Sequence, residues 1–217
     1  MFPGPLMFKS VTPITLTFTE TPNSGVGLTE YTFSGASIST AAANRKVVVC
    51  VAGGFGTVTV SALTVGGIAG TLVGRQAGGA YTVEIWEAAV PTGTTADIVV
   101  TWSGAQSFCS CGIYAMYGAA AAYSAVAMST AAPLSAAVAV PFGGASIAIG
   151  HTADAATATW TELTEDFDER EDPVTFAARM SGASKAYGMA GGSSPTVECA
   201  WTASTGPAMV LASWAPG

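Results

Sequence analysis

The densest group of charged side chains is TELTEDFDERED, residues 161–172, which holds seven of the chain's 14 acidic residues. Carboxylates grouped in this way are hard oxygen ligands of the kind that calcium prefers, and Glu165, Asp166 and Asp168 are the candidate ligands. The stretch lacks the residue spacing and the turn glycine of an EF-hand loop. The pattern favours a solvated or subunit-facing loop between two strands, with a calcium site as the alternative.

Acid/base catalysis by the same carboxylates is disfavoured. Glycosidase carboxylates usually come from separate strands that line a cleft, and their environments give them different pKa values. The chain's only histidine, His151, would have to serve any Ser-His-Asp arrangement, and no G-x-S-x-G elbow accompanies it. With Asp154 following closely, His151 is expected in a solvent-facing loop. We therefore expect no enzymatic activity.

The four cysteines could in principle form disulfides or a zinc site. Cys109 and Cys111 lie two apart in a strand-like run, which places both thiols on one face in a geometry unsuited to bonding each other. A zinc site would lack both a C-x-x-C pair and a histidine. We expect Cys50, Cys109, Cys111 and Cys199 to be small buried side chains.

The five tryptophans each fall within a predicted strand. On an exposed sheet face, tryptophan stacks on sugar rings, but large aromatic side chains more often fill β cores. We expect core positions for Trp86, Trp102, Trp160, Trp201 and Trp214.

Charge and composition exclude several classes of partner. The net charge is −7, and seven Lys and Arg residues provide no basic stripe, so direct nucleic-acid binding is disfavoured. No run approaches the ~18 apolar residues of a membrane span, and the first residues, MFPGPLMFKSVTP, lack the features of a signal peptide. We expect a soluble protein made in a cytoplasm. No cofactor is expected, and calcium is the alternative. Only 10% of the residues are charged, which suits a surface packed against other subunits.

Short runs rich in Val, Ile, Thr, Trp and Tyr, separated by Gly, Pro, Asn and Ser, predict an all-β protein. YTVEIWEAAV (81–90) alternates between two faces, whereas VVVCVA is apolar on both faces and predicts a central strand. The alanine-rich residues 118–132 favour loop or strand over helix. PTGTTAD (91–97) is expected to be a hairpin and VGGIAG (65–70) a tight turn.

Short connections favour antiparallel pairing, so the expected architecture is a jelly-roll-like, antiparallel two-sheet β-sandwich. No repeat of fixed period is visible. Residues 14–217 are expected to form a single sandwich domain, preceded by an extended arm, residues 1–13, that is ordered only against a neighbour. Candidate interface residues are Phe2, Leu6, Phe8, Arg45, Arg75, Glu165, Asp168 and Arg170.

Several runs carry a family resemblance: ASISTAAANRKVVVCVAGG, VSALTVGGIAGTLV, VEIWEAAVPTGTTADIVVTWSGAQ and CGIYAMYG. Residues 30–118, and more loosely LTEDFD and VLASWA, resemble small all-β proteins encoded by tailed bacteriophages and prophages. The resemblance implies a virion structural protein and carries over no functional residues. It leads us to expect a homo-oligomer, with three subunits, that acts as a capsid decoration or cement protein. Such a protein bridges subunits of the major capsid protein. The alternative is a tail or head-fibre protein that contacts tail proteins or host-surface glycan.

Overall fold

A computed structural model of the chain describes residues 11–54, 58–78, 81–153, 157–170, 178–188, 192–201 and 205–217. These residues form 18 β-strands, and every strand pairing is antiparallel. The predicted all-β, antiparallel class is therefore confirmed. In this part of the chain no helix has the length and apolar character needed to cross a membrane.

The first half of the chain builds two sheets. Sheet A consists of β1 (Thr15–Glu20), β2 (Asn23–Ser24), β4 (Arg45–Gly54), β7 (Thr71–Gly78), β8 (Tyr81–Ala89) and β10 (Phe108–Tyr117). Sheet B consists of β3 (Leu28–Ser37), β5 (Val60–Val65), β6 (Ile68–Ala69) and β9 (Thr95–Gln106). The strand order is β1-β10-β4-β8-β7 in sheet A, with β2 also paired to β10, and β3-β9-β5-β6 in sheet B.

The second half builds two more sheets. Sheet C consists of β11 (Ala119–Ser129), β13 (Ala145–Thr152), β15 (Thr164–Arg170), β16 (Arg179–Ala186) and β18 (Ala208–Pro216). Sheet D consists of β12 (Leu134–Ala137), β14 (Ala158–Trp160) and β17 (Thr196–Trp201). The strand order is β11-β18-β13-β16-β15 in sheet C and β12-β17-β14 in sheet D. The described strands thus form four sheets where the sequence analysis expected two.

Three hydrophobic cores join the four sheets into layers in the order B, A, C, D. The central strand β4 shows how one strand serves two cores. Val47, Val49 and Val51 pack toward sheet B, whereas Val48 and Cys50 pack toward sheet C. Successive side chains of a strand point to opposite faces, so a strand covered on both sides is apolar throughout. The doubly apolar run VVVCVA is accordingly the centre of sheet A.

Local predictions had mixed outcomes. The alanine-rich residues are strand β11, and VGGIAG is a tight turn in which Gly66 and Gly67 have positive φ angles of 58° and 79°. The hairpin expected at PTGTTAD is wrong, because this segment passes from β8 in sheet A to β9 in sheet B.

The loop expected at TELTEDFDERED is also wrong over residues 164–170, which are the edge strand β15 paired with β16. Phe167 is 6% exposed and packs in the core between sheets A and C. One inward aromatic side chain therefore anchors this strand, whose Thr164 and Glu165 side chains are exposed. Residues 171 and 172 lie outside the described ranges.

Candidate functional site

Arg45, an expected interface residue, is buried inside the chain at 1% exposure. Its guanidinium donates hydrogen bonds to four backbone carbonyls that belong to the two loops beside the start of β4. The acceptors are Val90 O at 2.7 Å, Ile38 O at 3.0 Å, Ser39 O at 2.9 Å and Thr92 O at 2.7 Å. The planar fork of arginine suits this task because its donors point in fixed directions. Arg45 therefore holds loops of its own chain together.

Arg75, another expected interface residue, pairs with a carboxylate of the neighbouring strand. Its Nε lies 2.7 Å from Glu84 Oε1, and its Nη2 donates to Glu84 Oε2 at 3.0 Å and to Val60 O at 2.6 Å. Glu84 is fully buried and also accepts from Trp86 Nε1 at 2.8 Å and from the Val60 amide at 2.8 Å. This bidentate pair, supported by further donors, joins sheets A and B.

A second buried ion pair lies within sheet A, and its two members also form hydrogen bonds with sheet C. Lys46 Nζ lies 3.0 Å from Glu87 Oε1, with side-chain exposures of 11% and 8%. Lys46 also donates to Ala121 O at 2.8 Å, and Trp214 Nε1 donates to Glu87 Oε2 at 2.7 Å. The polar groups of this cluster are thus mutually satisfied within a mainly apolar core.

The carboxylates of β15 are separated by the pleat of the strand and by a bulge between Glu165 and Phe167. Asp168 forms an ion pair with Arg179 Nε at 2.6 Å, Asp166 accepts from Tyr114 Oη at 3.1 Å, and Glu165 is exposed. Among the described residues, no three His, Cys, Asp or Glu side chains converge as a metal-binding group. Calcium binding by this stretch stays a prediction.

Burial perturbs the acid–base behaviour of this region. Burial raises the pKa of Asp166, although hydrogen bonds from Ser184 and Tyr114 lower it, and burial also raises the pKa of Glu165. The pKa of Tyr114 is raised well above its ordinary value, first by burial and then by the nearby Cys50 and Asp166. Tyr114 is therefore a neutral hydrogen-bond donor to Asp166.

His151 lies in β13 and is fully buried, so its expected place in a solvent-facing loop is wrong. Its ring centroid lies 4.4 Å from that of Tyr81 and 6.0 Å from that of Phe108. These aromatic neighbours come from β8 and β10, strands that are distant in sequence. His151 is a packed core side chain in this arrangement.

The expectation for the cysteines is confirmed, and that for the tryptophans is confirmed for three of the five, since Trp160 and Trp201 are only partly buried. All four cysteines are buried and none is in a disulfide. Trp86, Trp102 and Trp214 are buried in the first two cores, and Trp160 and Trp201 pack against the core between sheets C and D. The interface candidates Phe2, Leu6 and Phe8 lie outside the described residues, as does the side chain of Arg170.

A cleft of about 550 Å³ near the ends of β16 and β17 was not anticipated from the sequence. It is lined by Glu162, Lys185, Ala186, Tyr187, Ser193, Ser194, Pro195 and Thr196. Lys185 Nζ lies 5.1 Å from the Tyr187 ring centroid and donates to Glu162 O at 3.1 Å. The Tyr187 and Ser146 hydroxyl oxygens are 3.3 Å apart.

The cleft combines an aromatic ring, an ammonium group, a carboxylate and hydroxyls, which are groups that bind carbohydrate by stacking and hydrogen bonding. Glu162 has a φ angle of 65°, an uncommon conformation for a residue other than glycine and one that recurs at binding sites. The sequence gives little indication of this site, because its residues come from three separate segments of the chain. No protein-family model, curated protein or solved structure matches the chain.

Proposed function

We propose that this protein is a structural component of a bacteriophage virion, which decorates or cements the capsid by bridging neighbouring subunits of the major capsid protein. The observation that supports the proposal best is that most of the basic side chains are bound within the chain itself. Arg45, Lys46, Arg75 and Arg179 are four of the seven Lys and Arg residues, and all four bind groups of their own chain. The surface left for contact with partners therefore has few cations, and it carries hydroxyls, apolar groups and exposed carboxylates such as Glu30, Asp97 and Glu198.

The fold suits such a role as a rigid spacer. We infer that sheets B and A form one β-sandwich and sheets C and D a second, stacked on the first. Large apolar side chains are exposed on the described surface and provide area for contact with other subunits. They are Val11, Val26, Leu28, Ile68, Tyr123, Met128 and Phe142. The proposed assembly is a homo-oligomer, with a trimer as the expected state.

Binding to capsids tests the proposal directly. Purified protein is expected to bind empty expanded capsids and raise their melting temperature, and virions that lack it are expected to release DNA on heating. Sedimentation of the protein alone reports its oligomeric state. A protein that leaves the capsid melting temperature unchanged and does not cosediment with capsids is not a decoration protein.

Exposed apolar residues allow the binding face to be located. The double variant Tyr123→Ser/Met128→Ser changes the edge strand of sheet C, and Leu28→Ser/Ile68→Ser changes sheet B at one end of the layers. One pair is expected to weaken capsid binding by about tenfold or more, because contact surfaces concentrate their binding energy in few residues. Equal binding by both variants and the unchanged protein would contradict a role for these two faces.

The cleft at Tyr187 favours a second candidate function, a tail or head-fibre protein that binds host-surface glycan. In that case Tyr187→Ala and Lys185→Ala are expected to abolish retention on host cells, because they remove the ring and the ammonium group of the cleft. Tyr123→Ala, at an exposed tyrosine on β11, is the matched control. Retention that survives the cleft variants removes this candidate.

A further inference from the structure

The second half of the structure repeats the strand order of the first. Replacing β1, β10, β4, β8 and β7 by β11, β18, β13, β16 and β15 converts the order of sheet A into that of sheet C. Replacing β3, β9 and β5 by β12, β17 and β14 likewise converts sheet B into sheet D. The replacements preserve the order of the strands along the chain. In the described residues, the two-residue strands β2 and β6 are the extra elements of the first half.

The correspondence extends to irregularities of register. In β1, one residue is skipped immediately after Phe18 pairs with Tyr114. In β11, one residue is skipped immediately after Tyr123 pairs with Trp214. The opposite edge strands, β7 and β15, also carry one bulge each. Bulges are specific features of a sheet, so their recurrence on the edge strands of sheets A and C supports a common origin for the halves. The outer sheets differ, since the pairings of β3 and β5 have register shifts and those of β12 and β14 have none.

The outer cores repeat a contact between tryptophan and glycine. Trp102 of β9 covers Gly53 of β4, where a β-carbon would lie 2.5 Å from the indole. Trp201 of β17 covers Gly150 of β13, where a β-carbon would lie 2.7 Å from the indole. The sequences that end in these tryptophans, IVVTW and VECAW, place apolar residues at the same alternate positions.

A loop contact is repeated as well. The Ile38 amide donates to Thr94 O at 2.9 Å, and the Val140 amide donates to Ser193 O at 2.8 Å. Ile38 follows β3 and Thr94 precedes β9, while Val140 follows β12 and Ser193 precedes β17. Each half therefore closes its outer sheet with the same backbone bond.

The two halves meet reciprocally. Gly74 of β7 lies against β11 and β18, where a β-carbon would be 2.5 Å from Val126 and 2.9 Å from Val210. Phe167 of β15, the counterpart of β7, stacks on Phe18 of β1 and lies against Gly112 of β10. Strand β7 of the first half thus contacts β11 and β18 of the second, and its counterpart β15 contacts β1 and β10 of the first. Such reciprocal contacts are characteristic of a two-fold interface.

From these correspondences we infer that the chain is two copies of one sandwich unit, residues 14–117 and 119–216, joined at Gly118. Sheets A and C form a pseudo-two-fold dimer interface within one chain, and the partner that each of these faces fits is a second unit of the same fold. This inference does not rest on the proposed function. The repeat lacks a fixed period, because the separation of equivalent residues is shorter for Gly53 and Gly150 than for Phe18 and Tyr123.

Hydrogen exchange on the full chain tests the inference with the matched variants Gly53→Ala and Gly150→Ala. Each forces a methyl group against a tryptophan of one unit only. Gly53→Ala is expected to speed exchange about tenfold or more in strands of the first unit, and Gly150→Ala to do so in the second, with smaller effects across the interface. Gly104→Ala, on β9, is the control, because its β-carbon would make an ordinary contact of 3.5 Å with Val58.

Acceleration spread evenly over both units by either variant would overturn the inference, because the chain would then open as one unit. A circular permutant gives an independent result should the glycine variants fail to fold. Gly217 is joined to Met1, and the chain is opened between Gly118 and Ala119, so that the order of the units is exchanged. The permutant is expected to keep the protection pattern of the original chain, and loss of its β-sheet circular dichroism would also overturn the inference.

Discussion

Trp214 donates a hydrogen bond of 2.7 Å from Nε1 to Glu87 Oε2, across the contact between sheets C and A. The other oxygen of Glu87 accepts from Lys46 Nζ at 3.0 Å. Both oxygens of one buried carboxylate are therefore engaged, one by each half of the chain. Tyr114, the residue of β10 that corresponds to Trp214, donates in the opposite direction, to Asp166 of β15.

Replacing Glu87 by Gln is expected to destabilise the protein by about 3–5 kcal/mol, because it leaves the Lys46 ammonium group buried without its counter-charge. Urea unfolding measures the change. Glu30→Gln, on an exposed residue, is the control and is expected to stay within about 0.5 kcal/mol. The double variant Lys46→Met/Glu87→Leu is expected to recover much of the loss, and a double variant worse than Glu87→Gln contradicts this explanation.

Arg45→Lys is expected to cost about 2–4 kcal/mol, although it keeps the charge. A lysine cannot reach the four carbonyls that Arg45 binds, and each buried carbonyl left without a donor costs about 1–3 kcal/mol. The free energy of unfolding, measured in urea, reports the loss. Lys185→Arg, at an exposed site, controls for the exchange of one cation for another. Equal stability of Arg45→Lys and the original chain would show that water replaces the guanidinium.

Gly112 and Phe167 are expected to be strongly coupled across the two-fold contact. Gly112→Ala alone should cost about 1–3 kcal/mol, because its β-carbon would lie 2.5 Å from the Phe167 ring. Phe167→Ala alone should cost about 3–5 kcal/mol through the cavity it leaves. In a double-mutant cycle the combined loss should be smaller than the sum by about 1–3 kcal/mol.

Gly74→Ala provides the matched comparison for that cycle. Gly74 also lies at the contact of sheets A and C, but its neighbours are Val126 and Val210. Its cost should therefore add to that of Phe167→Ala within about 0.5 kcal/mol. If both glycines were coupled to Phe167 by the same amount, the interface would relax as a whole. That result would contradict a coupling that depends on the direct contact between Gly112 and Phe167.

The raised pKa of Asp166 predicts a specific dependence of stability on pH. The folded state favours the protonated carboxyl, so this contribution is fully present below the unfolded-state pKa of about 4 and is lost as pH rises through the higher folded-state pKa. Asn does not titrate, so Asp166→Asn should become more stable relative to the original chain as pH rises above about 4. Urea unfolding at a series of pH values measures the difference in free energy of unfolding. Glu165→Gln, measured in parallel, separates the contribution of the neighbouring Glu165, whose pKa is also raised by burial. A difference that is independent of pH would contradict the shift.

Strand existence was largely predictable from local patterns. The alternation of YTVEIWEAAV and the doubly apolar VVVCVA correctly indicate β8 and β4, because the period of two is a local property of an extended chain. The assignment of strands to four sheets was not predictable, since an apolar strand fits the centre of any covered sheet. The strand at residues 164–170 was missed because an edge strand can be acidic along most of its length and needs only Phe167 to anchor it.

The charged groups were harder to place than the strands. Arg45 binds carbonyls of two separate loops, and Arg75 binds Glu84 on the neighbouring strand. The positions of these arginines in the sequence do not indicate either set of partners. His151 is buried by aromatic rings from two other strands, which no local pattern reveals. The cleft at Tyr187 is formed by three segments, and its residue types are ordinary ones taken separately.

The four buried cysteines can report the local opening of the hydrophobic cores in which they lie. Cys109 and Cys111 lie in the core between sheets A and B, Cys50 in the core between A and C, and Cys199 in the core between C and D. A thiol reagent reacts with a buried cysteine only when its surroundings open. The labelling rate at each position therefore reports how often each of the three layers of packing comes apart, without any engineered probe.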